Sequence, residues 1–96
     1  MAAISYAPRA SSDLTRLVDF LAASDPGAAV ATADLIVSAV DALQHHPLIG
    51  RPVESGCREL VVSRGRSGYV ALYRYDESRD DVLVLSIRHQ REAGHV

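Results

Sequence analysis

A chain of 96 residues with 48% hydrophobic and 23% charged side chains has the composition of one small globular domain, with no disordered tract or internal repeat. Its net charge of −2 does not fit a strongly basic nucleic-acid-binding domain. No apolar run approaches the roughly 20 residues of a membrane span, and Met1-Ala2-Ala3-Ile4-Ser5-Tyr6 lacks the basic region and long apolar core of a signal peptide, so the cytoplasm is the expected compartment.

Ala3-Ile4-Ser5-Tyr6 reads as a short strand ended by Ala7-Pro8. Proline is tolerated in the first turn of a helix because its missing N–H would be unpaired there anyway. Leu14, Leu17, Val18 and Leu21 follow the i, i+3, i+4, i+7 spacing of one apolar stripe, which predicts a helix over residues 8–23. Asp25-Pro26 then supplies an N-cap followed by proline at the first helical position. The second helix has the stripe Ala29, Ala33, Ile36, Val37, Val40 and Leu43, and Pro47 stops it. A turn as short as Ser24-Asp25 makes the two helices an antiparallel hairpin.

Residues 47–52 read as a loop, residues 58–62 as a strand and residues 63–68, with two glycines, as a turn. Residues 69–75 and 82–87 are β-branched and aromatic runs separated by the polar stretch Asp76 to Asp81, a β-hairpin. In its second strand Leu83, Leu85 and Ile87 alternate with Val82, Val84 and Ser86, so the first set forms an aliphatic face that needs a cover. The order strand, helix, helix and three strands predicts an α+β fold, its helices on one face of a small, mainly antiparallel sheet.

Cys57 is the only cysteine, which excludes an internal disulfide and fits a reducing compartment. His45 and His46 are neighbours on a helix, about 100° apart, and do not easily share a metal ion. Their place in the last turn, where positive charge meets the negative end of the helix, accounts for them. Gly50-Arg51-Pro52 reads as a rigid turn whose arginine caps nearby carbonyls. All ten basic residues are arginine, and residues 50–75 hold five of them against two glutamates, a modest basic region.

Tyr6-x-Pro8 before an amphipathic helix, Leu43-x-x-x-Pro47-x-x-Gly50-Arg51-Pro52, Arg58-Glu59-Leu60, Gly68-Tyr69-Val70-x-x-Tyr73-Arg74 and Ile87-Arg88-His89-x-Arg91 form an ordered set over nearly the whole chain. The set resembles the RelE/ParE superfamily of type II toxins, the ParE-like branch (plasmid stabilisation protein) in particular. That resemblance implies a β-α-α-β-β-β toxin domain over residues 1–96. It also implies a cognate antitoxin that binds across the toxin, along a groove between helical hairpin and sheet, and DNA gyrase as the target. No cofactor or metal enters this reading. RelE-like relatives instead cleave mRNA on the ribosome.

Metal-free RNA cleavage needs groups that activate a 2′-OH, stabilise the phosphate and protonate the leaving oxygen. RelE-like toxins carry an arginine after the tyrosine of the Gly-Tyr strand, where this chain has Val70. They carry lysines on the preceding strand, where it has Leu60, Val61 and Val62, and a tyrosine near the C-terminus, where it has Ala93, Gly94, His95 and Val96. Arg58, His89 and Arg91 remain as a minimal catalytic set if the chain is an RNase. Otherwise Arg58, Tyr73, Arg88, His89 and Arg91 are the candidates for holding target or antitoxin, with Tyr73 the tyrosine expected to be exposed.

Overall fold

The computed structural model describes residues 1–64 and 67–90. Its elements are β1 (Ala3–Tyr6), α1 (Pro8–Ala22), α2 (Pro26–Asp41), β2 (Arg51–Pro52), β3 (Arg58–Arg64), β4 (Ser67–Asp76) and β5 (Asp81–His89), with 3-10 turns at Ala42–Gln44 and Glu54–Gly56. The strands form one sheet in the order β1-β5-β4-β3-β2. β1 runs parallel to β5, and all other pairs are antiparallel. Both helices pack on one face, so the α+β architecture agrees with the sequence reading. The addition is β2, two residues that the sequence reading leaves in a loop.

Both helices start at proline, and Asp25 caps the second by accepting from the Ala28 N–H at 3.1 Å. α2 buries Ala29, Thr32, Ile36 and Val40, and Leu43 of the following 3-10 turn continues the line. Thr32 is buried, whereas Val37, predicted on the stripe, is 38% exposed. Spacings of three and four residues keep 29, 32, 36, 40 and 43 in register with the helical period, and residue 37 lies about 100° round from 36. Pro26–Gln44 spans 19 residues and is long and apolar enough, by length and composition alone, to cross a membrane, which corrects the sequence expectation. In this fold the segment lies against the sheet, with Ile36, Val40 and Leu43 at 1% exposure or less.

The hairpin of β4 and β5 presents a different face from the predicted one. Its register passes from Leu72 opposite Ser86 to Tyr73 opposite Val84, so Leu85 is an extra residue in β5, a β-bulge. One inserted residue exchanges the faces of everything before it. Val82 and Val84 therefore join Ile87 in the core, each at most 1% exposed, while Leu83 is 37% exposed. The supposed aliphatic face of Leu83, Leu85 and Ile87 is split between the two sides of the sheet.

β1 stops where Ala7-Pro8 turns the chain into α1, and Tyr6, opposite Val84, is its last residue paired with β5. Beyond that point α1 supplies what a longer strand would have supplied. The Asp13 carboxylate accepts from the Ile87 N–H at 3.0 Å. Arg9 and Arg16, each 3.9 Å away, flank this side chain, which is 15% exposed. Asp13→Ala should leave a strand N–H unpaired and remove a hydrogen bond to a charged acceptor, lowering stability by about 1.5–3 kcal/mol. The check is urea denaturation, with a lower midpoint at unchanged slope, and partial recovery in Asp13→Asn, which keeps an acceptor oxygen.

Candidate functional site

The helical segment ends at Gln44, Pro47 lies in the loop that leads on to β2, and two of the expected site residues are committed to that loop. Tyr73, on the helix-facing side of β4, is 0% exposed. Its hydroxyl donates to the Pro47 carbonyl at 2.7 Å and accepts from the Gly50 N–H at 2.9 Å. Burial raises the phenol above its ordinary pKa, against the lowering effects of the Gly50 bond and the Arg58 charge. The hydroxyl thus keeps the proton it donates. Arg58, opposite Tyr73 in the β3–β4 ladder, donates through Nη1 to the carbonyls of Leu48 at 3.1 Å and Gly50 at 2.8 Å.

Position 50 has to be glycine for this arrangement, because a Cβ there would lie 2.6 Å from the Tyr73 ring and hydroxyl and 2.9 Å from the Glu59 carbonyl. Two expectations are corrected. Tyr73 is not the exposed tyrosine, since its hydroxyl can bond both loop groups only from inside the core. The arginine that caps the loop carbonyls is Arg58 rather than Arg51.

The face of the sheet away from the helices carries a different set. Glu59 lies between two guanidiniums, with Arg51 Nη2 at 2.6 Å from Oε1 and Arg88 Nη2 at 3.8 Å from Oε2. Glu59 is on β3 and Arg88 on β5, so this bridge crosses β4. Arg88 is paired with Val70, which is 4% exposed, as is Ser86 beside it on β5. Arg88 also donates through Nη1 to the carbonyls of His89 and Gln90, both at 3.3 Å. Arg88 is therefore held in place, its side chain only 18% exposed.

Arg88 and His89 do not form the expected cluster, because successive strand residues point to opposite faces. His89 sets its ring edge-on to Tyr69, with centroids 5.3 Å apart at 86°. Arg91, the third member of that group, lies outside the described residues. His89 and Arg58 are also kept apart: they pair with Tyr69 and Tyr73, four residues apart on β4, about 13 Å at the rise of an extended strand. Among the described residues no group of three His, Cys, Asp or Glu could hold a metal ion. Cys57 is buried with the Arg74 Nη2 at 3.8 Å from its Sγ.

The sequence reading gives Glu59 no role beyond its place in the Arg58-Glu59-Leu60 motif and omits Asp13, and each leaves a signal. Glu59 alternates with Arg58 and so falls on the opposite face from it. Asp13 interrupts the buried side of α1, three residues after Ala10 and four before Leu17. Tyr73→Phe should lower stability by about 1–2 kcal/mol by stranding a carbonyl and an N–H of the loop. Glu59→Ala should be more damaging than Arg51→Ala, about 2–3 against less than about 1 kcal/mol, since Glu59 serves two partners and Arg51 reaches well into solvent. Chemical denaturation of the three variants measures both.

Residues 4–94 match the family described as the ParE toxin of the type II toxin-antitoxin system, parDE. The chain is 40% identical over 92 residues to Toxin RelE3 of Caulobacter vibrioides, which covers 96% of this chain and 98% of that protein. It is 39% identical over 66 residues to Toxin RelE1 of the same organism, or 69% of this chain and 71% of the relative. A chain from the chromosomal ParDE toxin–antitoxin system of P. aeruginosa superposes with a TM-score of 0.76 at 26% identity, covering 93% of this chain and 96% of that one. A chain of the intact E. coli RelBE toxin–antitoxin complex shares the fold, with a TM-score of 0.68 at 17% identity over 97% of this chain and 100% of that one. These names fall on both sides of the ParE and RelE division, while the match over nearly the whole chain settles membership: this chain belongs to the ParE toxin family of type II toxin–antitoxin systems.

Proposed function

We propose that this toxin is held inactive in the cytoplasm by a cognate antitoxin, and that it acts by binding a protein target, DNA gyrase, rather than by cutting RNA. The observation that carries the second half is the separation of Arg58 from His89. Acid/base catalysis on a phosphodiester needs its groups within hydrogen-bond reach of one reacting centre. Here Arg58 donates to two loop carbonyls and His89 packs on Tyr69. Val70 stands where RelE-like toxins carry an arginine, and it is buried beside Arg88. The antitoxin half is supported by the toxin–antitoxin systems from which the similar structures come.

The alternative, ribosome-dependent cleavage of mRNA, is favoured by the name of the 40% identical relative, Toxin RelE3. It would require Arg58 to leave the loop. Inducing the chain alone should produce filamentation and a DNA-damage response while translation continues. Rapid arrest of protein synthesis with cleaved messages would replace this reading with the RNase one. Under the RNase reading His89→Ala should abolish message cleavage, whereas under the gyrase reading neither the wild type nor the variant cleaves messages.

A further inference from the structure

Leu48 and Ile49 are 51% and 63% exposed. The backbone that carries them is nevertheless fixed by four hydrogen bonds, two through the Tyr73 hydroxyl and two from Arg58. Rigid backbone bearing two large exposed aliphatic side chains is an arrangement that protects a surface shape rather than a core. The two side chains line a shallow cleft of about 590 Å³ together with His46, Pro47, Tyr75 and Glu77. An apolar floor with an aromatic wall is the kind of recess that takes an anchor side chain of a partner.

The charge beside the cleft narrows what that partner carries. Tyr75 leads into the β4–β5 turn, where Asp76, Glu77, Asp80 and Asp81 outnumber the cations Arg79 and the Met1 ammonium, 3.5 Å from Asp80, and Glu77 is the acid that lines the cleft. Asp76 is held below the usual carboxylate range chiefly by the Ser78 hydroxyl, and Asp80 chiefly by the Tyr75 hydroxyl, which donates to its Oδ1 at 2.7 Å. Glu77 is exposed on the rim itself. A second copy of this chain seated here about a two-fold axis would bring two acidic turns together, which like-charge repulsion opposes. A segment with a large apolar residue flanked by lysine or arginine meets both the floor and the rim.

We propose that this cleft is a docking site for the antitoxin, taking one large apolar side chain from a basic-flanked segment; the inference rests on the antitoxin reading above. A receptor loop already ordered leaves the cost of ordering to the incoming segment alone, which suits a partner that folds as it binds.

The test uses the full-length toxin and the purified product of the adjacent reading frame, with affinity measured by calorimetry. The Leu48→Ser, Ile49→Ser double variant should bind about 30-fold more weakly, the scale of losing a buried anchor contact. Glu77→Lys should weaken binding by about tenfold at low salt, and Glu77→Gln should flatten the salt dependence. These side chains are exposed, so thermal unfolding should be unchanged, and Glu77→Lys tests the cleft without touching its apolar floor. Wild-type binding with both sets of variants unaffected would overturn the docking site while leaving the antitoxin reading intact. Absence of wild-type binding would bring down that reading and the proposal with it. Loss of toxicity at unchanged antitoxin affinity would assign the cleft to the target instead, and a dimer abolished by the double variant would assign it to a second copy; either result overturns the proposal.

Discussion

The Tyr73 hydroxyl is the contact on which the rest of this structure depends. It stands at the middle of the central strand β4 and reaches through the core to a loop 26 residues earlier, bonding Pro47 and Gly50 at once. A hydroxyl is suited to this because it donates and accepts together, and a buried loop leaves one group of each kind to satisfy. Fixing the loop sets where β2 begins, places Gly50 against the tyrosine ring and gives Arg58 two carbonyls to bind. The exposed Leu48 and Ile49 owe their positions to a residue that never reaches solvent.

The contacts of the arginines change the meaning of the basic region. Five arginines between residues 50 and 75 look like a surface for an anionic partner. Arg58 is turned inward onto carbonyls, Arg51 is neutralised by Glu59, and Arg74 lies against Cys57. A guanidinium offers five donors in a fixed fork, so it can organise a small protein's interior where a lysine would offer only a point charge. Among the described residues, Arg58 and Arg88 use their guanidiniums in this way, each bonding two backbone carbonyls.

What could be read from the residues follows from the range of the forces involved. Pro8, Asp25 and Pro26 act within one helical turn, and the helix starts are where they imply. Alternation alone places the faces of β5 the wrong way round because it has no memory of a bulge: Leu85 breaks the count without any glycine or proline to announce it. β2 escaped because two residues hold too little pattern. The site was least legible. Tyr73 and Arg58 stand out by their chemistry, but their bonds are to a loop far away in sequence, and a strand residue's chemistry does not say whether its partner is a ligand or the protein's own backbone.

The parallel pairing of β1 with β5 joins residue 3 to residue 81, and Asp13 joins α1 to Ile87 at nearly the same distance along the chain. The first strand thus finds its partner strand only in the last one, and α1, which also packs on α2, completes its contacts there. The sheet cannot close until residues 81–89 are free to pair, and contacts this distant in sequence form late and slowly. Until β5 is in place, β1 has no partner strand. The interval before the sheet is complete is one in which an antitoxin already present can meet the protein before it acts.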